Sequence, residues 1–146
     1  MQRIIAACAS VLLLVGCAQK DPFEDLADGK CNSAVVDSVN AHISGQIDAL
    51  AEKDWELARS FASENFQSNV SLKDFTFIIS EQYPMLIENK GYEFNDCTVA
   101  GSTITQEVDV ESGEQIFSLT YSLTVNESTL GVDSAVVSKV ASQVAV

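Results

Sequence analysis

The stretch ITQEVDVESGEQIFSLTYSLTV, residues 104–125, decides the fold class of this 146-residue chain. Apolar and polar residues alternate on both sides of Gly113, which is the pattern of two half-buried antiparallel strands joined by a turn. The predicted inner positions hold Ile104, Gln106, Val108, Val110, Phe117, Leu119, Tyr121, Leu123 and Val125. The stretch therefore predicts a β-hairpin with one face on a core and the other in solvent.

Segments on either side of this hairpin extend the predicted sheet. Tyr92 and Phe94 indicate an earlier strand, and residues 126–131 are interpreted as a polar turn. The segment 132–144 is rich in valine. Its valines also recur at helical spacing, but β-branched side chains favour a strand. We therefore predict a final strand over this segment.

The first half of the chain has helical periodicity instead. A first helix begins at a cap at Asn32 or Ser33, Asp54 precedes a second helix or a kinked continuation, and Ser71 caps a third that Pro84 ends. The predicted apolar positions are Val36, Val39, Ile43, Ile47 and Leu50 in the first helix and Phe75, Phe77, Ile78 and Ile79 in the third. Helices followed by a strand meander predict an α+β fold with the helices packed on one face of a curved antiparallel sheet.

Several short segments carry a family resemblance: IDAL (47–50), KDW (53–55), SFAS (60–63) and QYPM (82–85). They resemble a bacterial domain-of-unknown-function family of the nuclear-transport-factor-like superfamily, whose cone-shaped fold is also called cystatin-like. The resemblance implies a cone-like fold for the single domain that we predict over residues 31–146. It implies no activity and transfers no functional residue, and relatives of this fold often form homodimers. Where that family tends to end on a tryptophan-bearing strand, this chain has TLGV (129–132).

The N-terminus is typical of an exported protein. Arg3 precedes an apolar run over residues 4–15 that is too short to cross a bilayer, so residues 1–16 are interpreted as a signal peptide. The residues LVGC (14–17) resemble the lipobox of bacterial lipoproteins, which implies cleavage before Cys17 and its modification by acyl chains such as palmitate. An ordinary secretory peptide or a short signal-anchor is the alternative. The resemblance predicts lipid anchoring to the cell membrane or outer membrane, with residues 17–30 as a flexible tether and the domain on the extracytoplasmic side.

Two cysteines, Cys31 and Cys97, remain once Cys8 and Cys17 are assigned to the signal peptide and the lipid anchor. Export to an oxidising compartment favours a disulfide between them. Cys97 follows Asn95 and Asp96 and has no basic neighbour of the kind that activates a catalytic thiol. Two free thiols or a metal-binding pair are the alternatives.

The chain is strongly acidic, with 21 acidic and 8 basic residues and a net charge of −13. This charge disfavours nucleic acid and anionic lipid head groups as partners. His42 is the only histidine, so neither a catalytic triad nor a metal site is predicted, and no cofactor. We interpret His42 as a residue at the boundary of the first helix's apolar stripe.

Four aromatic residues are candidates for the lining of a ligand cavity: Trp55, Tyr83, Tyr92 and Tyr121. Each also has a plain structural interpretation. Trp55 follows a helix cap as a core aromatic, Tyr83 stands at a helix end, and the other two tyrosines pack on a sheet.

The leading hypothesis is a non-catalytic lipoprotein of the cell envelope that binds a small apolar ligand or docks an envelope protein. A tethered enzyme with an acid/tyrosine pair in the cone, isomerase-like or dehydratase-like, is the alternative. A third hypothesis is a structural lipoprotein whose acidic surface only keeps it soluble. An apolar open cavity would favour a carrier, a polar pair in the cavity an enzyme, and a filled core an interaction module.

Overall fold

The computed structural model describes Gly16 and residues 19–143. The predicted signal peptide and Cys17 lie outside the described residues, with Gly16 as the one exception. The helices are α1 (Ser33–Ala51), α2 (Trp55–Ser60), α3 (Glu64–Asn69), α4 (Leu72–Gln82) and α5 (Pro84–Ile87). The strands are β1 (Gly29–Lys30), β2 (Gly91–Ala100), β3 (Thr103–Ser112), β4 (Gln115–Asn126) and β5 (Thr129–Ser142).

Side-chain caps determine where four of the helices begin. The side-chain oxygens of Asn32, Asp54, Ser63 and Ser71 each accept a hydrogen bond from a backbone N–H in the first turn that follows. Such caps satisfy N–H groups that have no partner within the helix. Three of these caps are predicted from the sequence. The exception is Ser63, and α3, which it begins, was missed because six residues are too few to show a helical period.

The strands form one antiparallel sheet in the order β1-β2-β3-β4-β5. The predicted hairpin is confirmed, with Val108 opposite Leu119 and Gln106 opposite Tyr121. Register shifts in β2, between Phe94 and Cys97, and at two places along the β4–β5 pair interrupt the ladder and bend the sheet.

The core lies between the helices and one face of this sheet. The helix α1 supplies fully buried residues, Val39, Ile43 and Ile47 among them, and the strands supply Ile104, Val108, Leu119 and Leu123. Helices packed on one face of an antiparallel sheet make an α+β fold, so the predicted fold class is confirmed, and the arrangement is consistent with a cone-like one. Within the described residues, no helix is long and apolar enough to cross a membrane.

The segment predicted as a flexible tether is partly folded onto the domain. Gly29 and Lys30 pair with β2, and Phe23 and Leu26 pack against the core. The sequence predicts a tether because this segment has no apolar periodicity. Isolated residues such as Phe23 and Leu26 can nevertheless pack against the core without any periodic pattern. The folded unit therefore begins before residue 31.

Cys31 continues this pairing, because its N–H donates to the Cys97 carbonyl oxygen at 3.0 Å. The two sulfur atoms are bonded, with the Cα atoms 5.4 Å apart. The predicted disulfide between these cysteines agrees with the structure.

Two local predictions differ from the structure, and a third is incomplete. The β4–β5 turn is shorter than residues 126–131, since β5 begins at Thr129. Phe77 is 65% exposed rather than part of the apolar face of α4, whose buried residues are Phe75 and Ile79. Pro84 ends α4 as predicted but also begins α5, where its lack of an N–H costs nothing.

The edge of β5 is covered at its start by the loop between α2 and α3. The Ser63 N–H donates to the Val132 carbonyl oxygen, and the Val132 N–H donates to the Phe61 carbonyl oxygen, both at 2.9 Å. This is a short parallel bridge between Ala62 and Val132. Backbone approaches Gly131 so closely that a Cβ there would lie 2.5 Å from the Ser63 Cα. The glycine in TLGV is therefore required by this contact.

Candidate functional site

A cavity of about 210 Å³ lies between α1, α3, α4, α5 and the inner face of β4 and β5. Its walls are mostly apolar, because the inward-facing side chains of the helices and the sheet supply most of them. The lining residues are Gln46, Leu50, Ala62, Phe66, Phe75, Ile78, Ile79, Tyr83, Leu86, Tyr121 and residues 132–136.

Tyr83 fixes the side of this cavity next to β5. Its backbone lies between α4 and α5, where the following residue, Pro84, prevents α4 from continuing. From there its hydroxyl donates a hydrogen bond of 2.6 Å to the carbonyl oxygen of Ala135. This bond ties the helix layer to the edge strand and keeps the Tyr83 ring in the cavity wall.

Tyr121 forms part of the inner wall and is only 1% exposed. Its hydroxyl oxygen is buried and has no hydrogen-bond partner among the described residues. Burial, with smaller contributions from the nearby Tyr83 and Tyr92, raises the pKa of Tyr121 far above its ordinary value. The hydroxyl is therefore protonated at neutral pH and is an available donor, not a base.

Gln106 lies on β3, directly opposite Tyr121 on β4. Its side chain reaches the irregular part of β2. Its side-chain N–H₂ donates to the carbonyl oxygens of Asn95 at 3.1 Å and Asp96 at 3.3 Å, within the register shift that frees them. Its side-chain oxygen is buried without a partner among the described residues. Gln106 thus stabilises the bulge and adds a second unpaired polar atom to the inner face of the sheet.

Besides the two tyrosines, the polar residues of the cavity lining are Gln46, Asp133 and Ser134. The Gln46 side chain is buried and donates to the Ala58 carbonyl oxygen at 3.2 Å. The Asp133 carboxylate accepts a hydrogen bond from the Thr124 hydroxyl. The polar groups are therefore few, and two of them are already engaged by the protein.

A larger groove of about 970 Å³, whose surface is about equally polar and apolar, lies beside the cavity, between α3 and the β4–β5 turn. Ala62, Phe66 and Asp133 line both spaces. Hydroxyl, amide and apolar side chains line the groove, and the charged lining residues are Glu64, Glu127 and Asp133.

The structure brings two of the four predicted cavity residues together, Tyr83 and Tyr121. Tyr92 is not in the lining; its hydroxyl donates to the Asp48 carboxylate at 2.7 Å and its ring stacks edge-to-face on Phe94. Trp55 also lies elsewhere and is partly buried against the core at the start of α2. Cys17, predicted to carry the lipid, lies outside the described residues.

Sequence reasoning missed Gln46 and Asp133 as lining residues. Gln46 had a signal, since it is a polar residue between Ile43 and Ile47 on the buried stripe of α1. Asp133 had none, because its place at the cavity depends on the register shift in β5. In the part of the chain that the structure describes, no three histidine, cysteine, aspartate or glutamate side chains are grouped so that they could hold a metal ion.

Residues 33–144 match the family model described as "Domain of unknown function (DUF4864)". The chain belongs to this family. No curated protein and no solved structure matches it. The DUF4864 match agrees with the resemblance to a domain-of-unknown-function family and spans α1 to β5. Cys31 precedes the matched residues, so the disulfide joins the DUF4864 domain to the segment before it.

His42 links α1 to the loop that covers β5. Its Nε2 lies 2.8 Å from the Phe61 carbonyl oxygen and its ring stacks edge-to-face on the Phe61 ring. Burial lowers the pKa of His42 below its ordinary value of 6.5, and the hydrogen bond to Phe61 opposes this only in part. The folded state therefore binds a proton less readily than the unfolded chain.

We expect the free energy of unfolding to fall as the pH falls below about 6.5, because protonation favours the unfolded state there. Above that pH the contribution of His42 is fully present. Urea unfolding at pH 7.5 and 5.5 measures the change, with His42→Asn as the control that lacks the titrating ring. An equal loss in both proteins would show that groups other than His42 cause it.

Proposed function

We propose that this DUF4864 domain is the ligand-binding part of a lipid-anchored envelope protein and holds a small, mainly apolar molecule in the cavity between helices and sheet. The observation that carries the proposal is the buried hydroxyl of Tyr121, a residue of the mostly apolar cavity lining, which has no hydrogen-bond partner among the residues that the structure describes. A buried hydroxyl without a partner is costly, and such groups in native proteins commonly bind a ligand or an ordered water. Apolar walls with a few polar groups are typical of small-molecule sites.

One observation favours the alternative hypothesis of an enzyme: Tyr121 and Asp133 line the same cavity. An acid/tyrosine mechanism needs two groups with separated pKa values that both reach the substrate. The raised pKa of Tyr121 makes its hydroxyl a poor proton donor, and the Asp133 carboxylate already accepts a bond from Thr124. Binding without turnover is therefore the better-supported function.

Native mass spectrometry tests the proposal on the Cys17→Ser chain secreted from a bacterial host. We expect the chain with an unchanged cavity to carry a reproducible additional mass, and the Ala135→Trp variant to lack it. Ala135 lies opposite Tyr121 in the cavity lining, so a larger side chain there fills the space. Ala135→Leu is a milder second variant in case the tryptophan prevents folding. A bare chain, with an apolar fluorescent probe such as N-phenyl-1-naphthylamine also failing to bind, would favour an interaction module and its envelope partner instead.

Tyr121→Phe separates the role of the hydroxyl in binding from its role in stability. Removing an unpaired buried hydroxyl is expected to leave the free energy of unfolding unchanged or raise it by about 1 kcal/mol. The same change should weaken a ligand that hydrogen-bonds to Tyr121 by about tenfold, as one lost hydrogen bond does. Tyr83→Phe is the comparison, since the Tyr83 hydroxyl bonds to Ala135 and its loss should destabilise the fold.

The anchor is tested by Cys17→Ser in the native host. We expect the unmodified protein in the membrane fraction and the variant in the soluble extracytoplasmic fraction, because two or more acyl chains anchor stably. Cys8→Ser is the matched control and should stay with the membrane. A Cys17→Ser protein that remains in the membrane fraction would contradict the lipobox interpretation.

A further inference from the structure

Residues 20–30, the strap, lie against one end of the sheet instead of leading away from it. This end, the turn end, carries the β2–β3 turn (residues 101–102) and the β4–β5 turn (residues 127–128). Both turns are on the same side because the strands run antiparallel in chain order. The strap contacts both turns and so spans the turn end.

Polar contacts join the strap to each turn. The Asp28 side chain accepts a hydrogen bond from the Gly101 N–H at 2.8 Å. The Asp21 carboxylate accepts one from the Ser128 hydroxyl. Both bonds are exposed, so they position the strap more than they stabilise it.

Apolar contacts stabilise the strap between these two points. Asp21 and Pro22 occupy the first two positions of a β-turn, where Asp and Pro are favoured, and the Glu24 N–H donates to the Asp21 carbonyl oxygen at 3.2 Å. Phe23, in this turn, and Leu26, just after it, pack against the hydrophobic core. Detachment of the strap would return both side chains to water, which is unfavourable.

A covalent bond completes the attachment at the C-terminal end of the strap. Gly29 and Lys30 form β1, which pairs with β2. Cys31 follows directly and is bonded to Cys97 in β2. This end of the strap therefore stays on the domain while the disulfide is intact.

The strap leaves little chain between the domain and the predicted lipid. Cys17 precedes Asp21 by four residues, which span at most about 14 Å. The ten residues of β3, by comparison, extend about 33 Å from the turn end to the opposite end of the sheet. The turn end is therefore the part of the sheet that an acylated Cys17 holds closest to the head groups.

Charge does not attract the turn end to lipid. The strap and the two turns contain more acidic than basic side chains: Asp21, Glu24, Asp25, Asp28 and Glu127 against Lys20 and Lys30. An anionic lipid surface would repel this end, whereas zwitterionic head groups would not. An orientation toward the membrane must therefore come from the strap itself.

We propose that the turn end of the sheet faces a zwitterionic lipid surface, with the strap as a short, fixed connection between the domain and an acylated Cys17. This inference rests on the lipid anchor of the proposed function and goes beyond it by assigning one end of the domain to the membrane. The opposite end, at the β3–β4 turn, then points away from the membrane surface.

Fluorescence quenching on phosphatidylcholine vesicles tests this orientation with the full acylated chain. Ser102→Cys and Gln115→Cys each add one site for a bimane label, at exposed positions of the turn end and of the opposite end. The quencher is a phosphatidylcholine with a spin label on its head group, which acts only over short distances. We expect the label at residue 102 to lose most of its fluorescence and the label at residue 115 to lose almost none.

A matched variant carries a flexible Gly/Ser linker of about twenty residues between Gln19 and Lys20, with a root-mean-square length of about 25 Å. It should stay on the vesicles, and its two labels should be quenched equally. A difference that survives the linker would assign the orientation to something other than the strap and overturn the inference. Equal quenching in the chain without the linker would also overturn it, while the anchor stands. A chain that does not bind the vesicles would instead contradict the anchor, and the inference with it.

Discussion

Replacing Cys31 and Cys97 by alanine is expected to lower the free energy of unfolding by about 4 kcal/mol. The bond has a sequence separation of 66, so its loss frees a long loop in the unfolded chain. Domains of this size have total stabilities of only about 5–15 kcal/mol, so the double variant should be close to unfolding at physiological temperature.

Urea unfolding of the Cys17→Ser chain, with and without a reductant, measures this effect. Reduction should shift the midpoint of the chain that keeps Cys31 and Cys97, and it should not shift the midpoint of the double alanine variant. The backbone bond from the Cys31 N–H to the Cys97 carbonyl oxygen is available to both proteins and so does not account for the difference. Identical midpoints in both redox conditions would rule out a stabilising disulfide.

Gly131→Val is expected to cost about 3 kcal/mol or more, and Gly131→Ala about 1–3 kcal/mol. A Cβ at this position would lie 2.5 Å from the Cα and 2.9 Å from the backbone N of Ser63. Because these are backbone atoms, a change of rotamer cannot relieve the contact. Either the loop leaves β5, with loss of its two hydrogen bonds to Val132, or the strand shifts.

Thermal or urea unfolding checks this cost against Ser142→Val, which puts the same residue at an exposed position of the same strand. Ser63→Gly should not rescue Gly131→Val, because it removes the Cβ contact of 2.8 Å and leaves the contact with the Cα. A Gly131→Val protein as stable as Ser142→Val would mean that the Phe61–Ser63 loop does not pack on β5. The wall that the cavity and the groove share would then be built differently.

The structure explains why the cavity was only half predicted. Tyr121 was recognisable because strand alternation alone places it on the inner face with Leu119 and Leu123. Tyr92 follows the same alternation on β2, yet the Asp48 carboxylate on α1 binds its hydroxyl and keeps it out of the lining. Which inner-face tyrosine reaches the cavity depends on where the helices lie over the sheet.

The sequence by itself determined the α+β class, the beginnings of α1, α2 and α4, and the β3–β4 hairpin. Each depends on residues close together in the chain, where period and capping act directly. Only the tertiary structure decided the pairing of β1 with β2, the bulge that Gln106 stabilises, and the packing of the Phe61–Ser63 loop against Gly131. These features join segments far apart in sequence, and they depend on distances between backbones that no local pattern encodes. The cavity and groove arise where such segments meet.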